Sequence, residues 1–130
     1  MSKLRGKVVS GIGNFSIWIE RLRDHYQRKT GMAFFPGTLN LQLDQPWFVP
    51  PGCLRLDGAE YGGTVTVNIV PCLIFSRPAF ILRTVANNEG RGHHQQNIIE
   101  IATYIKLRDA YQLNDGDWVE VAIADEAIAS

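Results

Sequence analysis

Three small groups of residues in this chain have the types and spacing that chemistry requires. The first is Thr38-Leu39-Asn40, within Pro36-Gly37-Thr38-Leu39-Asn40-Leu41-Gln42-Leu43-Asp44. A Pro-Gly turn opens the stretch, and apolar Leu39, Leu41 and Leu43 then alternate with polar Thr38, Asn40, Gln42 and Asp44. Period-two alternation is that of a strand, so Thr38 and Asn40 share one face and the leucines the other. A hydroxyl and an amide side by side can give two oxygens to a hard cation that takes its other ligands from water and phosphate, as magnesium prefers. The same alternation also fits a half-buried strand whose polar face meets solvent.

The second group is Gly11-Ile12-Gly13-Asn14, after the β-rich run Lys7-Val8-Val9-Ser10. Two glycines one residue apart let backbone N–H groups approach a ligand closely, which suits a phosphate cradle, and they equally make a plain turn. A third glycine is missing and no Gly-x-x-x-x-Gly-Lys-Ser/Thr occurs, so this is neither a dinucleotide fingerprint nor a P-loop. The third is Glu100, the one acid in Ile98-Ile99-Glu100-Ile101-Ala102. A carboxylate in an apolar strand needs a partner, for which a ligand hydroxyl is one candidate and solvent at a strand edge the other. His93 and His94 are adjacent and point opposite ways in extended backbone, and no third soft ligand has suitable spacing, so no structural zinc site is expected.

The elements that position these groups are mostly short strands. Residues 53–56, 64–70, 72–75, 80–83, 98–102 and 118–123 read as strands, with Asp57-Gly58 and 114–117 as turns and Pro71 as an interruption. Between residues 17 and 29 the period changes: Ile19, Leu22 and Tyr26 form one stripe, Ser16 can cap the start, and Gly31 can stop the helix. Lys106 to Tyr111 reads as a helical turn. The polar stretch 84–97 has no periodicity and reads as a long loop. Six or more strands, one helix and no βαβ alternation predict a mainly β fold: a small closed barrel with the helix at one end, in a single domain over residues 1–130.

Thirteen basic and thirteen acidic residues cancel, so no global field recruits nucleic acid or an anionic membrane. Cys53 and Cys72 form no Cys-x-x-Cys pair and read as reduced thiols. With no apolar leader and no run approaching the roughly 18 residues of a membrane span, a soluble cytoplasmic protein is expected.

Taken together and in order, several stretches resemble the CTP-dependent riboflavin kinases best known from archaea. They are Gly6-Lys7-Val8-Val9-Ser10-Gly11-Ile12-Gly13, the helix end from Tyr26 to Gly31, Phe35-Pro36-Gly37-Thr38-Leu39-Asn40-Leu41, Gly62-Gly63, Val70-Pro71-Cys72-Leu73-Ile74, Arg83-Thr84, the segment from His93-His94 to Glu100, and Leu107-Arg108 with Leu113-Asn114-Asp115-Gly116-Asp117. The resemblance implies a cradle-loop barrel of six strands that transfers the γ-phosphate of CTP to the 5′-hydroxyl of riboflavin, giving FMN and CDP. It implies magnesium at Thr38 and Asn40, the nucleotide at Gly11, Ile12, Gly13, Asn14, Ile105, Lys106, Leu107 and Arg108, and the flavin or its ribityl chain at Thr84 and Glu100, with Glu100 as general base. The chain departs from the family where Gly-Leu-Gly-Glu-Gly is replaced by Gly11-Ile12-Gly13-Asn14-Phe15, in a longer loop between Thr84 and His93, and at Ala102-Thr103-Tyr104. A barrel that binds a flavin or nucleotide without catalysis is the alternative. A swapped-hairpin DNA-binding regulator shares the Asp-Gly-Asp ending, but zero net charge and the lack of a basic stripe argue against it.

Overall fold

The computed structural model describes residues 2–10, 15–91 and 96–123. Among these residues the strands are β1 (Ser2–Val9), β2 (Leu39–Leu43), β3 (Leu54–Leu56), β4 (Val67–Ile74), β5 (Arg77–Thr84), β6 (Ile98–Ala102) and β7 (Trp118–Ile123). Every pairing is antiparallel, in the order β4-β5-β6-β2-β1-β7, and β7 returns to β4 through Leu73↔Ala122 and Ile74↔Val121. Six strands therefore close on themselves. The short β3 lies outside the closure, along the first half of β4. Closure leaves the barrel strands no free edge to template aggregation.

Strand parity divides the side chains into two apolar layers. Inward positions, among them Val8, Leu39, Leu41, Leu43, Val70, Ile74, Ile81, Ile99, Ile101 and Val121, fill the barrel. Outward positions on one side, Val67, Ile69, Leu82 and Ala102, meet Ile19, Leu22, Tyr26 and Phe34 in a second cluster. Burying this outer face is what lets a site form on the outside of the barrel. On the inner face Gly6 permits the close β1–β2 contact, since a Cβ at this position would lie 3.0 Å from Gln42 O, Leu41 Cβ and Leu43 Cδ2.

The helix expected over residues 17–29 is two segments, α1 (Phe15–Arg21) and α2 (Arg23–Thr30). The register slips at Leu22 (φ −107°, ψ 23°). The stripe survives the break, with Ile19, Leu22 and Tyr26 all buried against the barrel. Ser16 lies inside α1 and is not its cap, whereas Gly31 ends α2 with φ 75° and donates its N–H to Gln27 O, as a left-handed C-cap should. Lys29 pairs with Glu60 at 3.0 Å, tying α2 to the 3-10 turn Gly58–Tyr61 that follows β3.

Two connections differ from the sequence expectation. Pro71 does not interrupt its strand, for β4 runs straight through it. It falls between Ile69, which pairs with β3, and Leu73, which pairs with β7, where no neighbour needs its missing N–H. The β4–β5 hairpin then turns at Phe75 and Ser76, both left-handed (φ 52° and 59°), so that β5 begins at Arg77, ahead of the expected residue 80. Phe75 is held there by stacking on Tyr111, with ring centroids 4.0 Å apart. The stretch expected as an unstructured loop from Thr84 opens with a helical turn, α3 (Val85–Asn88), and the turn expected from Lys106 is α4 (Leu107–Ala110). No helix among the described residues is long and apolar enough to cross a membrane.

Candidate active site

The first chemical group is placed as its alternation requires. Leu39, Leu41 and Leu43 point into the barrel, and Asn40 lies on the outer face, only 8% exposed. Across the β2–β6 ladder Asn40 faces Glu100, and across the β5–β6 ladder Glu100 faces Leu82. Glu100 and Leu82 therefore lie on the wall that meets α1 and α2, with Asn40 beside Glu100 on the neighbouring strand. Glu100 is buried at 6% exposure, which decides against a solvent-facing strand edge.

Thr38 Oγ1 lies 3.4 Å from Asn40 Oδ1, and its hydroxyl is also hydrogen-bonded to the Glu100 carboxyl. One hydroxyl proton thus faces two acceptors, and Glu100 Oε1 has no partner at all. A surplus of hard oxygen lone pairs is the chemistry that a hard divalent cation satisfies. Among the described residues no three acidic, histidine or cysteine side chains form an all-protein cage. Thr38 and Asn40 therefore suit an ion that keeps most of its ligands as water and phosphate.

Burial pushes the Glu100 carboxyl up to about 8, against smaller opposing effects of the Thr38 hydroxyl and the Arg83 charge. Arg83 is itself buried. It donates to Trp47 O, to Gln96 O at 3.0 Å and to Ile98 O at 2.7 Å, and its guanidinium lies 5.1 Å from the Trp47 ring centre. Desolvation lowers it to about 10, so it stays charged at neutral pH.

Glu100 closes the deep end of a cavity of about 360 Å³, walled by Phe15, Trp18, Leu22, Tyr26, Tyr61, Val65, Val67, Leu82 and Ile98, with Arg83, Thr84 and Asn87 among its polar lining. Flat aromatic walls with a few converging polar groups suit a planar organic ligand. Thr84 lines this cavity, though its Oγ1 accepts the Asn87 N–H at 3.0 Å as the cap of α3. A second crevice, about 60 Å³, brings together Thr38, Ile105, Lys106, Leu107 and Arg108. The Thr38–Glu100 contact is the seam between the two.

Arg108 binds the end of β1 to the last turn of the chain. Its Nη2 donates to Val9 O at 3.2 Å, Ser10 Oγ at 2.6 Å and Asp115 Oδ1 at 2.5 Å, and Ser10 Oγ donates to the same Asp115 oxygen at 2.6 Å. Val9 pairs with Asn40, so the end of β1 lies beside the Thr38–Asn40 pair, and the sequence-predicted phosphate loop is Gly11, Ile12, Gly13 and Asn14. Those four residues, and His93-His94, lie outside the described residues. Sequence reasoning missed Tyr26, read only as core stripe, and Arg83 as a member of the cavity wall. Arg83 carried one signal: a charge at the inward parity of Ile81, directly after the apolar run Ala79-Phe80-Ile81-Leu82.

Fold and site together define a small β-barrel with a cavity on its outer wall, and with an acid and two side-chain oxygens where that cavity meets a second crevice. A family model named for CTP-dependent riboflavin kinase, and described as Domain of unknown function DUF120, matches residues 8–123. The chain is 30% identical to a riboflavin kinase of Staphylothermus marinus, over 95% of this chain and 93% of that protein. It is 38% identical to a riboflavin kinase of Pyrobaculum aerophilum and 33% to one of Methanocella arvoryzae, over 93% and 92% of this chain but only 60% and 56% of those proteins. The chain belongs to the CTP-dependent riboflavin kinase family.

Proposed function

We propose that the protein is a riboflavin kinase that transfers the γ-phosphate of CTP to the 5′-hydroxyl of riboflavin, giving FMN and CDP, with magnesium as the divalent ion. One observation carries the reading: in a member of this family, an aromatic cavity ends in a buried acid at the point where a second crevice opens. A flavin ring between Trp18, Tyr61 and the apolar wall would direct its ribityl arm toward Glu100. CTP would lie along Ile105, Lys106, Leu107 and Arg108, with Gly11, Ile12, Gly13 and Asn14 at its phosphates. The hydroxyl to be phosphorylated and the transferable phosphate then meet at Thr38 and Glu100.

Phosphoryl transfer depends mainly on positioning and charge neutralisation. Thr38 and Asn40 would hold magnesium, which when bound offsets charge on the phosphates. Glu100, with its proton affinity raised toward neutrality, is matched to accept the 5′-hydroxyl proton as the new O–P bond forms and the bond to the β-phosphate oxygen breaks. The Arg83 cation favours the ionised form of Glu100 that accepts this proton. The narrow apolar cavity excludes water that would otherwise compete as acceptor.

The test is an incubation of the purified protein with riboflavin, magnesium and either CTP or ATP, with FMN read by chromatography. FMN with CTP supports the whole reading. FMN with ATP alone keeps the kinase and overturns the donor. A folded protein that binds flavin but makes no FMN with any nucleotide is a binding barrel.

A further inference from the structure

Tyr26 is the largest of the fully buried side chains, 1% exposed, and its ring is fixed by Phe34 at 5.4 Å between centroids. Its position on α2 is that of an ordinary core residue, and Phe would fill it. Yet it carries a hydroxyl that has no hydrogen-bond partner, and Tyr26 lines the same cavity as Glu100. An orphaned buried phenol costs stability relative to Phe. Among the described residues, the other orphaned buried oxygen that belongs to the cavity lining is that of Glu100, Oε1. Two unsatisfied polar atoms on residues that line one mostly apolar cavity mark the place where a ligand supplies the partners.

The direction of the ligand follows from the seam. Thr38 and Asn40 lie at the Glu100 end, where phosphate must arrive, so the end of the acceptor that carries its reacting hydroxyl lies there too. The ring lies toward Trp18 and Tyr61. Tyr26 belongs with the first end, since it packs in one cluster with Leu82, which faces Glu100 across the β5–β6 ladder, and with Ala102, two residues beyond Glu100 on β6. Burial, then the Tyr61 and Glu100 charges, hold its phenol protonated and therefore a donor through the physiological range. We propose that Tyr26 is a specificity-determining residue whose hydroxyl, acting with Glu100 Oε1, hydrogen-bonds the hydroxylated side arm of the substrate and so selects flavins that carry a polyol chain. This rests on the riboflavin kinase reading and assigns to Tyr26 a contact that the resemblance did not.

The experiment compares riboflavin with lumiflavin, the same ring without the polyol, by quenching of flavin fluorescence in wild type and Tyr26→Phe. Riboflavin affinity should fall roughly tenfold in the variant, as for loss of a buried hydrogen bond, while lumiflavin affinity changes by less than about twofold. Thermal unfolding without ligand supplies a readout that a structural role would move the other way. Tyr26→Phe should melt at or above the wild-type temperature, because it removes an unpaired buried hydroxyl. Unchanged riboflavin binding, an equal loss for both flavins, or a lowered melting temperature overturns the assignment. A wild type that binds neither flavin overturns the kinase reading itself, and this inference with it.

Discussion

Replacing Glu100 by Gln keeps the shape of the side chain and removes its titration. The wild-type carboxyl ionises near 4.5 in the unfolded chain and near 8 in the fold, because burial opposes the charge. The sign follows from proton counting. Below pH 4.5 both states are protonated and the group does not affect stability. Between 4.5 and 8 the folded state holds a proton that the unfolded state has released, so folding stability falls as pH rises, and the loss is complete above 8. Each pH unit in that window is worth roughly 1.4 kcal/mol. At pH 7 the wild type therefore gives up at most about 3.5 kcal/mol that Glu100→Gln retains.

The assay is urea unfolding of both proteins between pH 5 and 8, with a chelator present so that no divalent ion competes for the carboxyl. The quantity to follow is the difference in unfolding free energy, which cancels every other titrating group. It should shift toward the variant with rising pH at close to the stated slope. A difference that stays flat, or one that shifts toward the wild type, would refute the claim that Glu100 sits desolvated and unpaired. In turnover the same substitution should cost on the order of a hundredfold or more if the carboxylate takes the hydroxyl proton. An acid retained at such expense to the fold is best explained by the reaction it serves.

Thr38→Ala removes one oxygen from the proposed magnesium pair without touching the flavin walls. FMN formation should fall by about a hundredfold, while flavin binding read by fluorescence stays within about threefold. Asp115→Asn weakens the Ser10–Arg108–Asp115 network, where hydrogen bonds from Ser10 and then Arg108 hold the acid below the usual carboxylate range. The KM for nucleotide should rise several-fold with riboflavin affinity unchanged, and a variant that affects both ligands equally would argue for a general structural role. Cys72 is 6% exposed with its thiol pushed up to about 12 by burial. At pH 8 a thiol reagent should therefore leave Cys72 unmodified until urea is added, with Cys53 the only site that reacts in the folded protein.

The parts of the fold that were legible in sequence are those set by local rules. Alternation at Leu39, Leu41 and Leu43 placed the barrel interior. It also put Thr38 and Asn40 together on the opposite face, and Gly31 stopped its helix because it alone tolerates φ 75°. The β4–β5 hairpin was not legible, because a left-handed Phe75-Ser76 turn has none of the Asn or Gly that normally signals one. Its conformation is fixed by Tyr111, more than thirty residues away in the chain. Pro71 misled for a related reason. Whether proline breaks a strand depends on which side lacks a neighbour, and that is a property of sheet order.

The site divides along the same line. Residue type and spacing identified the oxygen pair and the acid, but not that they would be buried. In a half-exposed sheet the polar face of β2 would meet water. Here α1 and α2 cover the neighbouring outer face of β4, β5 and β6, on which Glu100 lies, and the covering helix contributes Tyr26, a residue whose apolar neighbours at helical spacing make it indistinguishable from core. The cover converts an ordinary polar strand face into a low-dielectric site, where the Glu100 proton affinity rises and an unpaired phenol becomes a recognition group. It follows that the helix pair and the strand are one functional unit. A substitution that loosens the cover without touching any polar atom, such as Leu22→Ala, should bring the Glu100 carboxyl back toward 4.5 and flatten the pH slope measured against its own Gln variant.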